Sequence, residues 1–371
     1  RILIDDNTLV SIVAALNAGF HVILYGPPGT AKSTLSSFLP VELYGAKCNV
    51  HTADSEWNVR KVIGGITVSY DRSSGETKEV VGPRDGFIVD DIMECYESKL
   101  ATTEFDTVFS VIDEFNRTNM DECLGPMFTA MGSDQKLLKL EYNKGFNDGF
   151  LEVMVPASYR IICNMNKYDR TFTNELSEAL ARRFKWIYIG APREEMYADE
   201  EALVAGNVFG SVADIQPVRP TQLEKIRPCS ESEFFNAYIR RPIFDIINDL
   251  RKDLELGTSY KIDSIRIASH FLDLKLTLVD WDSYAGTDKA AVYASDRISE
   301  AAAPITDADK RMELEQILEQ IVTDTIDAAL AMTVVPACES LEGVDAIERN
   351  QERFHKYGKC LSELERMKTA F

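Results

Sequence analysis

The stretch HVILYGPPGTAKSTLSSFL, residues 21–39, constrains the fold of this chain more than any other. A short apolar run of β type, Val22-Ile23-Leu24-Tyr25, enters a Gly/Pro-rich turn that opens at once onto a helix-forming segment carrying Lys32, Ser33 and Thr34. Strand, tight turn and helix start in this order gather backbone N–H groups and a helix N-terminus around one point, which is what an anion needs. Gly26, Pro27, Pro28, Gly29, Thr30, Ala31, Lys32 and Ser33 therefore read as a phosphate-binding loop. The Lys32 ammonium would meet the terminal phosphates and the Ser33 hydroxyl would meet Mg²⁺. The usual spacing has a second fixed glycine directly before the lysine, and here Ala31 stands in its place. A methyl group restricts φ, so the loop is expected to avoid a positive value there. The competing reading is a plain Gly/Pro turn between a strand and a helix, with Lys32 solvated.

A second stretch, TVFSVIDEFNRTN at 107–119, supplies the partner chemistry. Val108, Phe109, Val111 and Ile112 form a nearly continuous apolar run, as expected of a strand buried on both faces of a parallel sheet. It ends in adjacent carboxylates, Asp113 and Glu114. Ligands in open α/β sheets lie at the carboxyl ends of strands, so both acids emerge where phosphates would sit. Asp113 would hold Mg²⁺, directly or through water, and Glu114 would orient and deprotonate an attacking water. Taken alone, the two acids could equally mark a helix start favoured by the macrodipole. A further buried strand, YRIICNM at 159–165, delivers Asn166 to the same edge, and KWIYIG ends the α/β pattern near Gly190.

The intervening sequence is read more coarsely. Residues 5–18 place Leu9, Ile12, Val13 and Leu16 on one helical stripe closed by Gly19. Pro40 is expected to end the helix after the phosphate loop. Two β-hairpins are expected as inserts, near 66–81 around Arg72-Ser73-Ser74-Gly75 and near 137–155 around Asn147-Asp148-Gly149. Between them 86–99 returns to helical spacing, and a loop and helix after Asn166 end in Arg182, Arg183 and Phe184. From about 192 the pattern is helical: 260–276 with Ser264 as its cap, 308–332, and 344–371. The chain is thus expected to form an α/β domain over 1–191 and an all-α region over 192–371.

Composition narrows the function classes. The formal net charge of −20, from 60 acidic and 40 basic side chains, disfavours a broad nucleic-acid surface, although a local basic loop could still hold a strand. Seven scattered cysteines, none in C-x-x-C spacing, read as reduced thiols of a cytoplasmic protein. Four widely separated histidines offer no metal-ligand spacing, so no structural zinc is expected. No apolar run is long enough to span a bilayer. Because the chain starts at Arg1 without methionine, upstream sequence is expected to precede it, and whether that sequence holds a recognition domain is left open.

In order, GPPGTAKS, VIDEFNRT, CNMNKYDR and EALARRF resemble the motifs of AAA+ ATPases of the dynein-related, MoxR or McrB type, over roughly residues 5–190. That resemblance implies an α/β P-loop NTPase domain of three layers, α/β/α, with a parallel sheet, followed by a helical lid. It makes Asn166 the polar sensor that positions water, and Arg182 or Arg183 the finger that reaches a neighbouring subunit's γ-phosphate. Arg266 in DSIR resembles the lid sensor arginine, and Asn116-Arg117 match an Asn-Arg pair at the subunit interface. The implied cofactors are ATP, or GTP, and Mg²⁺. ATP is the first choice, although Asn166, Lys167, Tyr168 and Asp169 spell a pattern that reads guanine in small GTPases. The implied assembly is a homo-oligomeric ring, hexameric in such families. It would remodel a separate protein, such as one with a von Willebrand factor A domain, or serve as the GTP-driven motor of a McrB-like nucleic-acid restriction complex.

Overall fold

The computed structural model describes residues 2–71, 78–100, 107–132, 135–140, 152–166, 178–210, 232–340 and 344–368. The expected hairpin tips at 72–75 and 147–149, the Lys167-Tyr168-Asp169 part of the guanine-like pattern, and Cys229 lie outside these. Contacts divide the chain into two compact units, Ile2–Gly190 and Ala191–Phe371.

In the first unit five parallel strands run in the order β2-β5-β8-β1-β9: β1 (His21–Gly26), β2 (Lys47–Thr52), β5 (Val108–Asp113), β8 (Arg160–Asn166) and β9 (Phe184–Tyr188). Two antiparallel hairpins stand outside this sheet, β3 (Gly64–Asp71) with β4 (Lys78–Asp85), and β6 (Leu137–Lys139) with β7 (Glu152–Met154). The helices are α1 (Asp6–Asn17), α2 (Lys32–Tyr44), α3 (Val59–Val62), α4 (Phe87–Leu100), α5 (Met120–Gly132) and α6 (Glu178–Arg183).

Alternation along each strand explains the three layers. Val22 and Leu24 of β1, Phe109 and Val111 of β5, and Ile162 of β8 pack with Ile12 and Leu16 of α1 and with Leu35 and Leu39 of α2. The side chains of opposite parity, Ile23, Ile112, Ile161 and Cys163, pack with Ile92 of α4 and Leu124 and Met127 of α5. A sheet covered on both faces needs apolar residues at every position, which is why its strands read as continuous runs.

Local signals set the ends of these elements. The Asp5 carboxylate caps α1 by accepting from the N–H groups of Asn7 and Thr8, at 3.1 and 3.2 Å. Pro40, expected to end α2, does not: the helix runs through it to Tyr44. Proline forfeits its own N–H bond and its ring crowds the carbonyl four residues back, and burial of Leu35 and Leu39 against the sheet offsets that cost and holds the turn in place. The stop is Gly45, which takes a left-handed φ of 55° while its N–H donates to the Val41 carbonyl at 3.1 Å.

The second unit is helical. Helices Arg241–Leu250, Thr258–Thr277, Ala308–Thr333 and Gly358–Lys368 share one core, with Phe234, Phe244, Leu272, Leu318 and Phe354 fully or nearly fully buried. Ser264, expected as a cap, instead lies well inside the helix that starts at Thr258. It is buried there and shares a 2.6 Å hydrogen bond with Thr333. The helical pattern over 344–371 is carried by the helices Val344–Gln351 and Gly358–Lys368, the second capped by Asp327, whose carboxylate accepts from the N–H groups of Lys359 and Cys360 at 2.8 and 2.9 Å. Glu200 is wholly buried and accepts from Arg251 at 2.6 and 2.7 Å and from Lys261 at 2.6 Å. The Lys261 ammonium lies 4.9 Å from the Tyr197 ring and 4.8 Å from that of Phe244. Among the described residues no helix is long and apolar enough to cross a membrane.

Candidate active site

The site lies at the carboxyl edge of the sheet, where β1 ends in Gly26. A Cβ at this position would stand 2.1 Å from the Ile189 carbonyl oxygen, so only glycine lets the loop leave the strand here. Gly29 follows with φ 75°. Ala31 then adopts φ 63° and ψ 24°, against the expectation of a negative value. Left-handed alanine costs about 1–2 kcal/mol. Here it lets the chain turn straight into α2, whose Leu35 N–H donates to the Ala31 carbonyl at 2.8 Å. The Thr30 hydroxyl braces the same turn by donating to the Pro27 carbonyl at 3.0 Å. Left-handed residues interspersed in such a loop aim successive N–H groups inward. The first-turn amides of α2, including those of Ser33 and Thr34, have no acceptor within the helix.

Lys32 is only 6% exposed, and its ammonium donates to the carbonyls of Gly26 and Pro27 at 3.1 and 2.7 Å. The Ser33 hydroxyl donates to Asp113 Oδ1 at 3.0 Å, across the gap between the loop and the end of β5. The same oxygen accepts from the Glu114 N–H at 3.1 Å. Glu114 is the second left-handed non-glycine residue of the site, at φ 55° and ψ 40°. From it a 3-10 turn, Phe115–Arg117, folds back so that Arg117 Nε donates to Glu114 Oε2 at 3.0 Å. Asn116 is 3% exposed, and neither end of its amide has a hydrogen-bond partner among the described residues.

Because β8 lies between β1 and β5, Asn166 falls opposite Gly26 in register and between the loop and the two acids. The sequence reading missed a neighbour on this strand. Asn164 Nδ2 donates to Ser36 Oγ at 2.8 Å, and Ser36 Oγ donates to the Ser33 carbonyl at 3.0 Å, tying α2 to the sheet beneath the loop. The available signal was a polar residue inside the apolar run of β8. Arg183 is half-buried, its Nε donating to the Phe128 carbonyl on α5 at 2.8 Å and its guanidinium 5.3 Å from the Phe128 ring. Arg182, on the same last turn of α6, is exposed. Arg266 lies on helix Thr258–Thr277 of the second unit, 4.0 Å from Asp263.

The donor set suits a magnesium nucleotide. Hydroxyl and carboxylate oxygens are the hard ligands Mg²⁺ prefers, and Ser33 and Asp113 bring one of each within hydrogen-bond distance of each other.

A parallel sheet with a glycine-tight loop after β1, and a Ser–Asp pair joining that loop to the end of β5, defines a P-loop nucleotide-binding core. Residues 21–184 match the model of the AAA domain, dynein-related subfamily, and this part of the chain belongs to that family of AAA+ ATPases. The chain is also similar to the EcoKMcrB subunit of a type IV methyl-directed restriction enzyme from Escherichia coli K12. The two are 29% identical over 193 residues, 50% of this chain and 39% of that relative. The match therefore spans well under half of the relative's length. A solved structure from Cytophaga hutchinsonii, provisionally called an ATPase, aligns with 85% of this chain and 90% of its own at 15% identity and a TM-score of 0.35.

Proposed function

We propose that the chain hydrolyses ATP with Mg²⁺ in a hexameric ring and uses the cycle to remodel a separate protein in the cytoplasm, such as one carrying a von Willebrand factor A domain. The observation that carries the hydrolytic part is the 3.0 Å hydrogen bond between Ser33 and Asp113, with Glu114 as the next residue. In this reading Gly26, Pro27, Pro28, Gly29, Thr30, Ala31, Lys32, Ser33 and Thr34 bind the phosphates through backbone amides and the Lys32 ammonium. Ser33 and Asp113 hold the metal, which when bound neutralises charge on the phosphate oxygens. The Glu114 carboxylate takes the proton of the attacking water, and Asn166 orients that water. Arg182 or Arg183 of an adjacent subunit stabilises the charge spread over the transferring group, and Arg266 serves the nucleotide from the helical unit.

A second reading, a GTP-using motor of a nucleic-acid restriction complex, is favoured by the similarity to the EcoKMcrB subunit. One experiment tests both. Turnover of ATP and of GTP is measured with and without DNA, for the chain and for Glu114→Gln. Loss of a base contributes about 10²–10⁴-fold, so the variant should keep its nucleotide affinity and lose at least about a hundredfold in turnover. Unchanged turnover removes Glu114 from the base role. ATP preference without a DNA effect supports the first reading, and GTP preference with DNA stimulation supports the second.

A further inference from the structure

We propose that Arg117 is a positioning residue for the hydrolytic carboxylate: it fixes one oxygen of Glu114 and so aims the other. The inference rests on the reading of Glu114 as the base and extends it to a group outside the phosphate loop, its acids and its sensor.

A glutamate side chain has three rotatable bonds, and a base that wanders through their rotamers spends little time facing one water. At Glu114 the backbone is already pinned from both sides. Its N–H is bound by Asp113 Oδ1 at 3.1 Å, and its carbonyl accepts the Arg117 N–H at 2.9 Å. The turn that carries Arg117 is anchored in the core by Phe115, with no exposed surface, and by the buried Asn116. Arg117 therefore projects from a fixed point, and its Nε holds Glu114 Oε2 at 3.0 Å. Glu114 Oε1 makes no hydrogen bond to any described residue, which leaves it for a water.

The planar guanidinium suits this task better than an ammonium, because its N–H directions are fixed relative to one another. The pair is also a poor candidate for a mere stabilising contact. Arg117 is 53% exposed and Glu114 25%, and ion pairs so open to water contribute little to folding. Removing Arg117 should then spare the fold and be felt in turnover.

The test uses the full chain with magnesium nucleotide, at a protein concentration where turnover per subunit no longer rises. Arg117→Ala should lower kcat by about three- to tenfold with KM changed less than about twofold, the range expected for one contacting pair. Arg117→Lys, which keeps charge but not planarity, should recover part of the loss. On the Glu114→Gln background, Arg117→Ala should add no further loss, because there is no longer a carboxylate to aim. A rise in kcat would make the pair a restraint on the base and overturn the proposal. A change confined to KM, or an equal loss on the Glu114→Gln background, would overturn it as well. If Glu114→Gln itself turns over normally, the base assignment falls and takes this inference with it. If that variant is inactive and Arg117→Ala is normal, the inference falls alone.

Discussion

Charged side chains are treated in opposite ways at the sheet edge and in the helical unit. Glu200, Arg251 and Lys261 are sunk in the helical core, and each carboxylate oxygen is matched by a cation at 2.6–2.7 Å. At the edge, Lys32 rests on the carbonyls of its own loop, Glu114 shares one oxygen with an exposed arginine, and the Asn116 amide is buried with no partner among the described residues. Backbone strain follows the same division: among the described residues, two of the three non-glycine residues with positive φ, Ala31 and Glu114, lie in the phosphate loop and the acid pair. Groups whose charges are fully matched to each other hold a fold, whereas groups fixed in strained positions with part of their hydrogen-bonding capacity open can take up a ligand.

The largest effect should come from breaking the committed set. Glu200→Gln leaves Arg251 and Lys261 buried beside a neutral amide, and removing one partner of a buried ion pair costs about 3–5 kcal/mol. Burial favours the neutral form of Glu200, yet hydrogen bonds and charge from Arg251 and Lys261 outweigh it and hold the carboxyl below its usual range. Urea unfolding followed by circular dichroism should register the loss in the helical unit. A loss below about 1 kcal/mol would mean that the three side chains are no tighter a set than those at the edge.

The same contrast explains what was legible in the sequence. The phosphate loop, the Asp113-Glu114 pair and the sheet strands were readable because each combines a local pattern with a chemical demand: apolar runs for two-sided burial, then oxygen donors at the strand end. The Ser36–Asn164 tether and the Glu200–Arg251–Lys261 cluster join residues far apart in the chain, and no spacing rule announces such a contact. Pro40 and Ser264 misled for a related reason. Both carry a strong local preference, for ending and for starting a helix, that packing of Leu35 and Leu39 in one case and of the Ser264–Thr333 contact in the other overrides. Ala31 misled in the other direction, since the steric rule is sound but the loop accepts its cost.

A smaller effect should separate the two ends of β1. Its carboxyl end opens the phosphate loop, while at its amino end His21 is buried, with Nδ1 accepting the Ile161 N–H at 2.9 Å. Burial above all, then Arg160 and Lys136, lowers the His21 pKa to about 3. An unfolded histidine titrates near 6.5, so between the two values the unfolded chain binds a proton that the folded chain refuses. Stability is therefore complete above about pH 6.5 and falls as pH drops toward 3, by up to about 1.4 kcal/mol per pH unit. His21→Gln, whose amide oxygen can still accept the Ile161 N–H, should flatten the fall by about one proton's worth between pH 6 and pH 4. Carboxylates titrate in both proteins, so the difference between the two slopes is the measurement. Equal slopes would mean that His21 is already charged in the fold.

The smallest effect should come from the strain itself. Left-handed φ costs alanine about 1–2 kcal/mol, and glycine escapes that cost while giving the unfolded chain about 0.5–1 kcal/mol of extra entropy. Ala31→Gly should therefore raise the unfolding free energy by up to about 1 kcal/mol, with the loop geometry and nucleotide affinity kept. Ala31→Val should act in the opposite sense, because a β-branched side chain is less tolerated at positive φ than alanine. Denaturant titration of both variants reads the sign directly. If Ala31→Gly destabilises by more than about 1 kcal/mol, the methyl group does packing work that outweighs its strain, and the edge of the sheet is more committed than its backbone suggests.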